Sequence, residues 1–273
     1  MKYTIVSVAC VVLMFSLCVG YATAVDENEQ KSASIDIMYL YQTRAGDASE
    51  WVKYLNKKGY SAHTAKADTA DSLTNLTSME LIIIGNDTAA VWSTWDDMIA
   101  IKHSHTNVLG IGNGGISYFG AAGLQMRSGF TMGSTDDSMK AVNKTNSIWT
   151  TPNTIPLSLV GEVKVHSAVT YERMISLSSV GGNVTTFAYD PDYPAYSTLC
   201  WEGLKFDRKT YWAFYTNSPD DLTVDGRNLL QNAIEFTKDK VLIFEIPYTA
   251  ILVAGCAGLL ATIAVCIIKR RLD

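Results

Sequence analysis

Val108-Leu109-Gly110-Ile111-Gly112-Asn113-Gly114-Gly115 is the stretch on which the reading of this chain turns. A short apolar run passes into a cluster of glycines, and Ile116-Ser117-Tyr118-Phe119 continues it in a helix-like pattern. Strand, tight turn and helix in immediate succession describe a sharp corner. One residue at such a corner is held in a strained backbone conformation, and small neighbours let the helix fold back on the strand.

Moving outward, Leu81 to Gly85 (LIIIG) is a short continuous apolar run typical of a central parallel strand, and Ile35 to Tyr41 (IDIMYLY) reads as another buried strand. Asp47 with Glu50 predicts a capping box, ahead of a helix with Trp51, Val52, Tyr54 and Leu55 on its apolar face and Gly59 as its C-terminal stop. Tyr60 to Lys66 reads as a strand, and Val91, Trp92, Trp95, Met98 and Ile99 as a helix leading into the strand Asn107 to Ile111. This alternation predicts βαβ units and a mostly parallel sheet covered on both faces. Ser128 to Val184 is less regular. Thr210 to Tyr215 then reads as a last strand, and Gly226 to Lys238 as a helix turning Leu229, Leu230, Ala233, Ile234 and Phe236 inward.

The corner resembles the class I glutamine amidotransferase-like family, whose elbow reads G-x-C-x-G-G; on that pattern Gly112 stands at the cysteine position. Asn146 to Pro152 (NSIWTTP) is similar to a segment of family members of the trehalose-utilisation type. Ala213 to Asp220 (AFYTNSPD) resembles the family's terminal strand and H-P-E, placing Ser218 on its histidine and Asp220 on its glutamate. The resemblance spans roughly Ile35 to Phe236 and implies a flavodoxin-like three-layer α/β sandwich. It also implies lost chemistry. Acyl transfer on this scaffold needs a thiolate, a base and oxyanion donors. Gly112 has no side chain, and a serine hydroxyl at Ser218 has no pKa suited to a base. The loop after LIIIG reads Asn86-Asp87-Thr88 where the family places a glycine-rich oxyanion turn. The expectation is a pseudoenzyme with no cofactor, acting as a surface recognition or interaction module. Two alternatives stand beside it: a hydrolase with relocated groups such as Glu202 or Asp220, and an accessory component of a membrane or envelope complex.

Both ends of the chain point to a membrane. Lys2, the apolar run Ile5 to Val19 and Ala22-Thr23-Ala24 predict a cleaved signal peptide over residues 1–24. Ile246 to Ile268 carries no charge and is long enough for a hydrocarbon core of about 30 Å. Lys269-Arg270-Arg271 follows, and positive charge is retained on the cytoplasmic side. The prediction is a single-pass type I protein of the plasma membrane: an extracytoplasmic domain over 25–240, a transmembrane helix over 246–268 and a cytoplasmic tail over 269–273. The expected partners are the membrane and another membrane or surface protein.

Composition narrows the rest. Twenty-seven acidic against 22 basic residues, net charge −5, argue against a nucleic-acid surface. Cys10 and Cys18 fall in the leader and Cys256 and Cys266 in the span, so Cys200 alone remains in the domain and no disulfide forms within it. Asn75, Asn86, Asn143 and Asn183 head N-x-S/T sequons and are glycosylation candidates. Gly110, Gly112 and Gly115 also satisfy G-x-G-x-x-G, although an outward-facing domain rarely meets a nicotinamide cofactor. Cys200 lies in an apolar context where thiols are usually inert. His103 with His105 lacks a third ligand, and Asp190-Pro191-Asp192 reads as a turn, so no metal is expected. Ligands of parallel sheets bind beyond the carboxyl ends of the strands, which selects Arg44, Asn113, Glu202 and Asn217 as a possible cleft for a small anionic or polyol ligand.

Overall fold

The computed structural model describes residues 36–72, 76–93, 95–126, 137–168, 175–176, 184–205 and 209–238. The predicted signal peptide, membrane span and tail, and the sequons at Asn75 and Asn183, lie outside these residues. Among the described residues no helix is long and apolar enough to cross a membrane.

The chain runs β1 (Asp36–Tyr41), α1 (Ala45–Lys57), β2 (Ser61–Lys66), β3 (Leu81–Ile84), α2 (Trp95–His103), β4 (Asn107–Ile111) and α3 (Gly112–Ala121). It continues through β5 (Ser138–Ala141), β6 (Glu162–Lys164), β7 (Ile175–Ser176), β8 (Val184–Tyr189), β9 (Tyr196–Lys205), β10 (Lys209–Phe214) and α4 (Val224–Lys238). The strands join one sheet in the order β2-β1-β3-β4-β10-β9-β8-β5-β6, with β7 added against β9.

Strands β2, β1, β3, β4 and β10 pair in parallel. From β9 outward the sheet is antiparallel. The sheet is therefore mixed, not mostly parallel. The reason lies in the links: β8, β9 and β10 are consecutive and joined by residues 190–195 and 206–208. Links that short reverse the chain, whereas a parallel return needs a crossover of about a dozen residues.

Alternation along the central strands feeds two cores. Ile37, Tyr39, Leu81 and Ile83 face a layer made by Trp51 and Leu55 of α1 and by Leu229, Leu230, Ala233 and Ile234 of α4. Met38, Leu40, Ile82 and Ile84 face the other layer, with Met98 and Ile101 of α2 and Ile116, Tyr118 and Phe119 of α3. Burial of each such side chain contributes about 1.5–3 kcal/mol. Buried Asn232 anchors the 146–153 segment beneath α4: its Nδ2 donates to the carbonyls of Ile148 and Asn153 at 2.7 and 2.8 Å.

Two helices depart from the sequence reading. The Val91–Ile99 helix is broken into a 3₁₀ turn, Val91–Ser93, and α2 from Trp95. Helix α1 begins at Ala45, so Asp47 sits inside its first turn and is not its cap; Arg44 at the N-cap position makes no side-chain cap either. The acceptor for this helix end comes from another loop.

Candidate functional site

Strand β4 ends in extended backbone at Ile111, φ −102° and ψ 124°, and α3 starts at the next residue. Gly112 turns the corner with φ +51°. That is the left-handed region, which disfavours residues with a Cβ by about 1–2 kcal/mol. The helix then lies against the end of β3. A Cβ on Gly114 would collide with the Gly85 carbonyl and Thr88 Oγ1, so only glycine permits this approach.

The space in front of Gly112 is taken. A Cβ built there would collide with Asn86 Oδ1 and lie 3.1 Å from the Thr216 carbonyl. Asn86 Oδ1 accepts the backbone N–H of Asn113 at 2.7 Å. Its Nδ2 donates to Asn217 Oδ1 at 2.6 Å. One side chain from the loop after β3 thus bridges the ends of β4 and β10. At an elbow of this kind the N–H following the corner residue is an oxyanion donor; here that N–H is already bound. The free volume bordering Gly112, Gly110, Ile116, Thr198 and Ala213 is about 10 Å³, space for roughly one water.

Asp87, next in the same loop, closes a second donor set. Its Oδ2 accepts from the backbone nitrogens of Gln42, Thr43 and Arg44 at 3.1, 2.7 and 2.8 Å. A carboxylate placed there satisfies orphan N–H groups and complements the positive end of the helix dipole. This is the cap of α1 that Asp47 was expected to form. Burial first, and then the Asp87 charge, push the nearby Tyr39 phenol well above its ordinary pKa.

The other expected site residues separate. Arg44 is exposed and pairs with half-exposed Asp47 at 3.4 Å. Ser218 caps the turn Pro219–Asp221, its Oγ accepting from Asp220 N at 3.2 Å, and Asp220 is exposed. It is Asn217, one residue earlier, that reaches Asn86. Glu202 does not belong to the cleft. It sits in β9 opposite Tyr211, which lies beside Val108, whereas Leu199, Phe214 and Ile111 mark the corner end of the same strands. Three residue steps, about 10 Å, set it toward the opposite edge. It is fully buried, and its Oε2 accepts from the backbone nitrogens of Gln125 and Met126 at 2.7 and 3.1 Å. A glutamate in the middle of an antiparallel strand serves a loop; in the linear pattern it resembles a strand end because no local signal marks the β9–β10 reversal.

Cys200 is fully buried against Met126 Sδ at 3.5 Å, and burial pushes its thiol up to about 12. Such a thiol is not a nucleophile near neutral pH. Among the described residues no group of three His, Cys, Asp or Glu side chains is placed to hold a metal ion. One titratable residue had no role in the sequence reading: His166. It is buried, its Nε2–H donates to the Tyr215 carbonyl at 3.0 Å, and desolvation holds its pKa down near 4. It bridges to Leu222, which follows β7 to β10 in the chain, a pairing that carries no local signal.

No protein-family model matches the sequence, and a search of curated proteins finds no relative. Solved structures do match. A ThuA-like protein from Bacteroides uniformis superposes with a TM-score of 0.55 at 9% identity, over 78% of this chain and 95% of that one. A protein assigned as a GMP synthase component from Thermoplasma acidophilum gives 0.50 at 12% identity, over 75% and 94%. A glutamine amidotransferase from Thermotoga maritima gives 0.43 at 11%, over 77% and 84%. Identities this low speak to architecture alone, and on that level the conclusion is plain: this chain carries the glutamine amidotransferase-like, ThuA-like α/β fold.

Proposed function

We propose that this protein is a membrane-anchored, non-catalytic amidotransferase-like ectodomain that acts as a surface recognition or interaction module. One observation carries the reading: the Asn86 amide occupies the place of a nucleophile's side chain and binds the N–H that would stabilise an oxyanion. A scaffold that fills its own reaction centre has no room for an acyl group and no donor left to receive its charge. The relocated-hydrolase alternative loses its acid groups, since Glu202 is committed to two backbone amides and Asp220 stands in solvent on a turn. Anchoring rests on the leader at 1–24 and the charge-free segment at 246–268. In this topology Asn143 is the described sequon best placed for a glycan, because it is exposed, whereas the Asn86 amide is bound on both sides.

The test uses full-length protein in membrane vesicles. It is incubated with glutamine and with nitrophenyl esters and anilides, and ammonia and nitrophenol are followed. The expected result is no release above protein-free vesicles. Turnover that vanished with Asp220→Asn or Glu202→Gln would overturn the non-catalytic reading. External protease that left the bulk of the chain intact in sealed right-side-out vesicles would overturn the topology.

A further inference from the structure

A cavity wall with an evident recognition chemistry lies away from the corner, on the sheet face that α1 and α4 cover. Strands β8, β9 and β10 carry the sheet outward from α4, and here their side chains form an aromatic cluster whose open members are Trp201 and Phe236. Trp212 stacks with Phe187 at 5.1 Å between centroids and 9° between planes, and with Trp201 at 6.2 Å and 23°. Phe236, in the last turns of α4, meets Trp212 edge-on at 5.9 Å. These four rings line an open groove of about 390 Å³. That volume falls within the range of roughly 300–1,000 Å³ typical of ligand sites.

The remaining lining is polar and uncharged: Asn146, Ser147, Thr185 and Thr210. Asn146 accepts the Ile148 N–H on its Oδ1 at 3.0 Å, which fixes the side chain at the rim of the groove. Ser147 and Thr185 are exposed. Two lining residues that are almost fully buried, Trp212 and Thr210, carry a polar atom (Nε1 and Oγ1) without a hydrogen-bond partner among the described residues. Both atoms are closed off from solvent and stand behind the wall of the groove, so a ligand meets the exposed Ser147 and Thr185 instead.

We infer that this groove is a binding site for a neutral carbohydrate, a pyranose ring laid on half-buried Trp201 with its hydroxyls toward Asn146, Ser147 and Thr185. The chemistry argues for each part. Trp201, half-buried and backed by Trp212 in a near-parallel stack, offers a flat ring to a flat apolar face. No charged side chain stands among the described lining residues, which disfavours phosphates and sugar acids, whose desolvation no cation would offset. A ligand with many hydroxyls matches short amide and hydroxyl side chains that both donate and accept. The site is separate from Gly112 and stands whether or not the corner is catalytically silent.

Full-length protein in phospholipid nanodiscs is titrated with cellobiose and methyl glucoside, with glucuronate and indole as comparisons, following tryptophan fluorescence. The expected result is a saturable change with the neutral sugars, at least tenfold weaker with glucuronate and absent with indole. Trp201→Ala and Thr185→Arg are each expected to weaken sugar binding at least tenfold, with circular dichroism unchanged. Thr185 is exposed, so that second variant tests the groove without disturbing the core. The proposal is overturned if neither sugar gives a saturable response, if both folded variants bind as the parent does, or if indole binds in place of the sugars.

Discussion

The amide oxygen of Asn86 lies 2.7 Å from the backbone nitrogen of Asn113 and too close to the point where a side chain of Gly112 would begin for one to fit. Two residues far apart in the chain are thereby matched: a glycine leaves a vacancy and an asparagine fills it. Asp87 makes the parallel contact with Gln42, Thr43 and Arg44. Both of these donor sets at the carboxyl edge of the parallel strands are thus satisfied from within, by neighbours on one loop.

Restoring a side chain at the corner should destabilise the protein. Gly112→Ala combines left-handed strain with a collision against Asn86, and a loss of roughly 2–4 kcal/mol is expected in urea denaturation. In the Asn86→Ala background the collision is gone, so the same substitution should be milder by about 1 kcal/mol. Additive effects in that double-mutant cycle would show that the two side-chain positions do not share space.

Asn86→Ala alone removes the acceptor of the Asn113 N–H and the donor to Asn217. The expected loss is about 1–3 kcal/mol. Hydrogen exchange at the Asn113 amide should accelerate more than at amides of β3, which keep their sheet partners. Unchanged exchange there would place the Asn86 side chain elsewhere.

Asp87→Ala leaves three backbone N–H groups at the start of α1 without their charged acceptor. A loss of about 1–3 kcal/mol is expected, with faster exchange at Thr43 and Arg44. Asp47→Ala should have the smaller effect, since Asp47 makes an exposed pair with Arg44. A larger effect at Asp47 would restore the capping box read from the sequence.

Cys200 should remain unlabelled by iodoacetamide in the native protein at about pH 8 and react once urea unfolds the chain. Its thiol is buried and held near 12. Mass spectrometry of the peptide carrying Cys200 reads this directly, and native labelling at the rate of a free thiol would contradict the burial.

His166 should make stability fall in mild acid. Its folded pKa is near 4, from an ordinary value of 6.5, because burial disfavours the charged ring. Between those values the unfolded chain binds more protons than the folded one, so stability declines as pH drops through 6.5 and the effect is complete below about pH 4. The shift corresponds to about 3 kcal/mol at most. His166→Gln should flatten the curve of melting temperature against pH in that window; an unchanged slope would assign the acid sensitivity to other groups.

Much of this molecule was legible in local patterns. The runs IDIMYLY, LIIIG and NVLGI became β1, β3 and β4 because short, nearly unbroken apolar runs are best satisfied in a strand buried on both faces. The glycine cluster marked the corner, and Gly112 has the positive φ that the turn demands. Those are consequences of period and sterics, which act over a few residues. What only the tertiary structure decided involves partners far apart in the chain. Asp87 caps a helix from a distant loop, Asn86 fills the vacancy at Gly112, Glu202 is drawn inside an antiparallel strand, and Trp201 and Trp212 meet across a hairpin. Hydrogen bonds and ring contacts of that kind depend on strand order and register, and no local window of sequence encodes either.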